Sequence, residues 1–152
     1  MDFKCELIQQ SAQPVLSIRT RTPMDNLKQT IGSSYDAIMQ YLSEIGENAS
    51  DAPFVAYYNM DMQDLDVEIG YPVGKAIQGK DEIKQSEIPY GRYAACLYTG
   101  SYSKMESAYN AISEWMKENG YTPTGVVYEF YLNDPQEIPE DELQTRIMFP
   151  LV

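Results

Sequence analysis

No histidine occurs anywhere in the 152 residues, and cysteine occurs only twice. Without histidine every Ser-His-Asp or Cys-His nucleophile is excluded, and so are the common zinc sites. The two cysteines, Cys5 and Cys96, lie far apart in apolar, strand-like surroundings with no CxxC spacing, and buried, reduced thiols are expected. Basic residues are scarce as well: 11 Lys and Arg stand against 23 Asp and Glu, for a net charge of −12 and an isoelectric point near 4.3. Such a field repels phosphate backbones and anionic lipid, so neither nucleic acid nor a membrane surface is expected as a partner. An acidic surface mostly serves solubility, and its sharper consequence is a bias toward cationic ligands. No apolar run reaches membrane-spanning length, and the start MDFKCELIQQ lacks a positively charged leader, which makes the cytoplasm the expected location. Glycine-rich phosphate loops are missing too, since Gly74-Lys75 has no glycine upstream at the required spacing. No cofactor and no metal is expected.

What the chain does have is a foldable core and a large stock of tyrosine. Hydrophobic residues make up 43%, enough for one domain over 1–152. Tyrosine occurs 13 times against 4 phenylalanines and 1 tryptophan. Residues 4–8 and 15–22 read as strands around a Ser-Ala-Gln-Pro turn. Leu27, Ile31, Tyr35, Ile38, Leu42 and Ile45 then recur at helical spacing between Pro23 and Gly46. Residues 54–58 and 65–73 form a hairpin with Val67, Ile69, Tyr71 and Val73 on one face and Glu68 on the other. Residues 74–85, with glycines and alternating charges, read as a linker between halves. A strand over 88–98 follows, then a helix from Gly100-Ser101 to Asn119-Gly120 with Met105, Ala108, Ile112, Trp115 and Met116 as its apolar stripe. Strands over 125–132 and 143–151 complete the order.

Strand, helix, strand, strand thus occurs twice, and the residues themselves repeat. Ser34-Tyr-Asp-Ala-Ile38 matches Ala108-Tyr-Asn-Ala-Ile112 at a shift of 74, which also aligns Tyr41 with Trp115, Gly46 with Gly120, Tyr57 with Tyr131 and Asn59 with Asn133. After a four-residue insertion Ile69-Gly-Tyr-Pro72 aligns with Ile147-Met-Phe-Pro150. The expected fold is α+β: tandem duplicated βαββ modules, about 1–75 and 82–152, related by a pseudo-twofold axis. Their antiparallel sheet would carry two helices flanking a ligand groove.

One residue breaks the repeat. Glu129 stands where the first copy has Val55, inside the Val- and Tyr-rich run Gly125-Val-Val-Tyr-Glu-Phe-Tyr-Leu132. In a central strand it would be poorly solvated, which raises a carboxyl pKa. An edge strand with Glu129 in water, or a pairing with Arg or Lys, would be the structural alternative. On this reading Tyr35 and Trp115 from the helices and Tyr57, Tyr71 and Tyr131 from the strands converge on Glu129. Aromatic faces attract cations by roughly 0.5–2 kcal/mol each, and a carboxylate adds a countercharge. Taken singly, each aromatic is more simply core packing.

The ordered set Ile88-Pro-Tyr-Gly-Arg-Tyr-Ala94, Tyr98-Thr-Gly-Ser-Tyr102, Trp115 with Asn119-Gly120-Tyr121, Tyr128-Glu-Phe-Tyr-Leu-Asn-Asp-Pro135 and Ile147-Met-Phe-Pro150 resembles the GyrI-like, or AraC-type effector-binding, family over essentially the whole chain. The resemblance implies two βαββ modules with a ligand groove between them. It also implies that Glu129 and Tyr35 meet cationic lipophilic drugs, as in multidrug-sensing regulators. A stand-alone domain of this kind acts as a binder of lipophilic small molecules, as a hydrolase of cyclopropane-containing electrophilic toxins with Glu129 and Tyr35 catalytic, or as a topoisomerase (gyrase) interaction module. A protein partner or homodimer stays open on this reading, and residue types alone do not separate enzyme from binder.

Overall fold

The computed structural model describes residues 4–152. Eight strands form one antiparallel sheet: β1 (Cys5–Gln10), β2 (Gln13–Thr22), β3 (Phe54–Tyr57), β4 (Leu65–Pro72), β5 (Lys84–Ile88), β6 (Gly91–Thr99), β7 (Val127–Tyr131) and β8 (Gln144–Pro150). Two helices, α1 (Met24–Glu44) and α2 (Glu106–Glu118), pack on the same side of it, α1 over β2 and β4, α2 over β1 and β6. Pro23 opens α1, and Gly46 (φ 72°) and Gly120 (φ 75°) follow the two helix ends in the left-handed conformation that glycine tolerates. Neither helix is long and apolar enough to cross a membrane, which leaves strand-built crossings unaddressed.

The strand order β1-β6-β8-β7-β3-β4-β2-β5 is symmetric about the contact between β7 and β3 once β1–β4 and β5–β8 are exchanged. Two like modules therefore meet at a pseudo-twofold axis, and the fold is the α+β duplication that the repeat implies. The axis passes between Val55 and Glu129, which face each other directly in the β3–β7 register. Those are the two residues that the 74-residue shift makes equivalent.

Three sequence expectations need correction. Residues 74–85 are not purely a linker, because Lys84 and Gln85 already belong to β5, and Ile77 and Ile83 are buried against α1 and β2. Nor is 88–98 one strand. Pro89, with no amide proton to donate, and Gly91, at φ 154°, break the run, so that β5 ends at Ile88 and β6 begins at Gly91. The break sends the two strands to different halves: β5 pairs with β2 and β6 with β1. The first strand of each repeat is thus exchanged into the other module. Only two residues join β1 to β2, yet the two strands lie near opposite ends of the strand order, so the sheet curls into a half-barrel. The inner face of the curl holds Val15, Phe54, Ala56, Tyr93, Tyr128 and Met148. The outer face lies under the helices. The second helix also starts later than its sequence suggests, after a 3-10 turn at Tyr102–Lys104 capped by the Ser101 side chain.

Candidate functional site

Glu129 lies in β7, which is paired on both sides, by β3 and by β8, so the edge-strand alternative does not hold. Its side chain is on the helix-covered face with Val55 and Ile147 as cross-strand neighbours, and it is only 8% exposed. None of the ion pairs among the described residues includes it. Two tyrosine hydroxyls take the place of a cation. Tyr131 donates to Oε1 at 2.7 Å, and Tyr109, reaching down from α2, donates to Oε2. Burial raises the Glu129 carboxyl above its ordinary value of 4.5, and the two hydroxyl donors pull part of that shift back.

The surrounding ring follows the symmetry. Tyr57 and Tyr131 are equivalent residues of the two modules, and their hydroxyls lie 3.5 Å apart. Tyr35 of α1 is the equivalent of Tyr109 of α2, but with valine rather than glutamate on its side it donates to the Phe54 carbonyl at 3.3 Å instead. Tyr71 packs on Tyr35 with ring centroids 5.2 Å apart, and Tyr102 on Tyr131 at 5.5 Å. Burial pushes the hydroxyls of Tyr35, Tyr57 and Tyr109 upward, and the nearby carboxylate adds to that rise. All three remain protonated donors at any physiological pH. The result is one buried carboxylate on a symmetry axis, walled by tyrosine faces and held only by neutral hydroxyls.

Of the residues chosen from sequence, Glu129, Tyr35, Tyr57, Tyr71 and Tyr131 come together. Trp115 does not: it packs on Tyr121 at 5.6 Å in the cluster containing Ala94, Cys96 and Met116. Tyr109 and Tyr102 were not among the chosen residues. Tyr109 had a signal, its alignment with Tyr35, whereas Tyr102 sits in a 3-10 turn with no periodicity to mark it. The inner face carries a second buried acid, Glu68, 7% exposed, which accepts from Ser17 at 2.6 Å and from Tyr58 at 2.5 Å. Arg19 stacks on that Tyr58 ring, 3.6 Å from its centroid, so this carboxylate has a cation nearby where Glu129 has none. A cleft of about 300 Å³ opens near it, lined in part by Tyr58, Tyr93, Tyr128 and Arg92, and does not include Glu129.

A family model for the GyrI-like small molecule binding domain matches residues 3–152. Comparison with curated proteins gives no match. Among solved structures, EcmrR in its complex with DNA superposes with a TM-score of 0.84 at 21% identity, covering 98% of this chain, which spans only 57% of that protein's length. The isolated EcmrR C-terminal domain gives 0.82 at 22% identity, with 100% and 99% of the two chains covered. A hydrolase encoded by lin2189 from Listeria innocua gives 0.73 at 16% identity, covering 98% and 92%. SAV2435 bound to tetraphenylphosphonium gives 0.65 at 11% identity, covering 98% and 94%. Likenesses at these identities concern the fold.

Proposed function

This chain belongs to the GyrI-like small molecule binding domain family, and we propose that it binds lipophilic, aromatic cations at Glu129, sensing or sequestering them without turnover. The observation that carries this reading is a buried carboxylate with no ion-pair partner among the described residues, walled by aromatic faces. A buried charge of this kind is costly, and a ligand cation that replaces solvent with a countercharge recovers that cost. Tyr35, Tyr57, Tyr71, Tyr109 and Tyr131 supply the flat walls. Tyr102, 38% exposed, is the ring of this set most open to solvent. A fold neighbour that holds tetraphenylphosphonium, a lipophilic cation, is consistent with this chemistry. Titrating matched cationic and neutral dyes by fluorescence tests the proposal. The cationic dye binds tighter by about 10-fold or more, and equal affinities remove the charge role of Glu129.

A second reading is hydrolysis of an electrophilic, cyclopropane-bearing compound, favoured by the raised Glu129 carboxyl. Such a group accepts a proton from a held water as the water oxygen bonds to a ring carbon and a cyclopropane C–C bond breaks, its electrons passing to a conjugated carbonyl oxygen of the compound, to which Tyr35 or Tyr109 donates. Loss of the base costs about 10²–10⁴-fold in rate. Following hydrated product by mass spectrometry separates the two readings, since a pure binder captures stoichiometric intact compound and yields no product.

A further inference from the structure

Cys5 and Cys96, 91 positions apart in sequence, are direct partners in the β1–β6 register. Backbone parity fixes which kind of partners they are. In β6 the Arg92 carbonyl accepts from the Leu151 amide, and the Gly100 amide donates to the Leu143 carbonyl. With the regular β6–β8 register between these points, even-numbered residues of β6 turn their amide and carbonyl toward β8. Cys96 is one of them, so toward β1 it forms a non-hydrogen-bonded pair with Cys5. That class brings Cα atoms to about 4.5 Å, within the roughly 4.4–6.8 Å span that disulfides occupy. Both thiols are free, and each lies within the other's electrostatic reach. Cys5 is half-buried while Cys96 is buried beneath Ile112 and Met116 of α2, which makes Cys5 the thiol that solutes reach.

We propose that Cys5 and Cys96 are a modification site, a dithiol that low-molecular-weight disulfides oxidise to an intramolecular disulfide. The Cys5 sulfur, as thiolate, attacks one sulfur of the small disulfide, forming a mixed disulfide and releasing one small thiol. The Cys96 sulfur then gives up its proton and attacks the Cys5 sulfur, closing the Cys5–Cys96 bond and releasing the second small thiol. Two protein thiols are oxidised and one small disulfide is reduced, so electrons and protons balance. Burial holds both thiols above their ordinary pKa, Cys96 at about 12, so the reaction is slow compared with that of a low-pKa redox cysteine. The product staples β1, the strand exchanged between modules, onto the half that carries α2. Its closed loop is long, and loops of that length confer the larger disulfide stabilisations.

The test incubates the full chain with oxidised glutathione, followed by intact mass, peptide mapping without reduction, and thermal melting. The expected result is a loss of two hydrogens, a peptide pair joined through Cys5 and Cys96, and a melting temperature higher by on the order of 10 °C. Cys96→Ser is expected to stop at a lasting glutathione adduct on Cys5, with no rise in melting temperature. Thiols that stay free in wild type, a lasting glutathione adduct on wild-type Cys5, or a disulfide between two molecules would each overturn the proposal.

Discussion

At Glu129 a single substitution decides the chemistry of the axis. Its folded pKa lies above the ordinary 4.5, so between those two values the folded state holds a proton that the unfolded state has lost, and stability falls as pH rises through the window. Glu129→Gln removes that titration. The variant should be more stable than wild type at neutral pH, with the difference shrinking toward pH 4 and below, as read from urea midpoints across a pH series. A variant less stable at pH 7 would indicate that the charge itself holds the fold. Tyr109→Phe leaves Oε2 without its donor and should cost about 1–3 kcal/mol at neutral pH while raising the Glu129 carboxyl further. Carbon-13 NMR titration of that carboxyl checks the direction, and an unmoved or lowered pKa would show that the Tyr109 contact does not stabilise the charge. Glu129 was legible because duplication made valine the expected residue there. Trp115 was misplaced because an apolar stripe does not say which part of a helix overlies a given strand. It lies six residues beyond Tyr109, about 240° further round the helix, and so faces away from the carboxylate that Tyr109 meets.

Among the elements, the helices and most strands were legible from hydrophobic period alone, since α1, β4 and β8 lie within a residue or two of their sequence bounds and α2, though it starts later, stops just before the expected Asn119-Gly120. Partner choice was not. A strand's pattern reports which face is apolar but not which strand lies beside it, so the exchange of β1 and β5 between modules left no mark. Close packing of strands shows at Gly70 of β4, where an added Cβ would collide with the Leu16 carbonyl and come within 2.9 Å of the Ser17 Cβ on β2. Gly70→Ala should therefore destabilise by about 1–3 kcal/mol with the denaturant slope unchanged. A neutral result would mean that the β2–β4 pair separates at little cost.

For the whole molecule, symmetry supplies the wall and asymmetry the charge. Tyr35 with Tyr109 and Tyr57 with Tyr131 surround the axis in matched pairs, and only the pairing of Val55 with Glu129 lies on it unmatched. A ring of this kind suits ligands with aromatic groups disposed about a central positive charge, and the surplus of acidic residues draws such ligands in. The most direct measurement is calorimetry of tetraphenylphosphonium and of neutral triphenylphosphine oxide against wild type and Glu129→Gln. The account predicts that wild type prefers the cation by about 10-fold or more and that Glu129→Gln loses most of this preference while still binding the neutral compound. Equal preference for the cation in both proteins would contradict it.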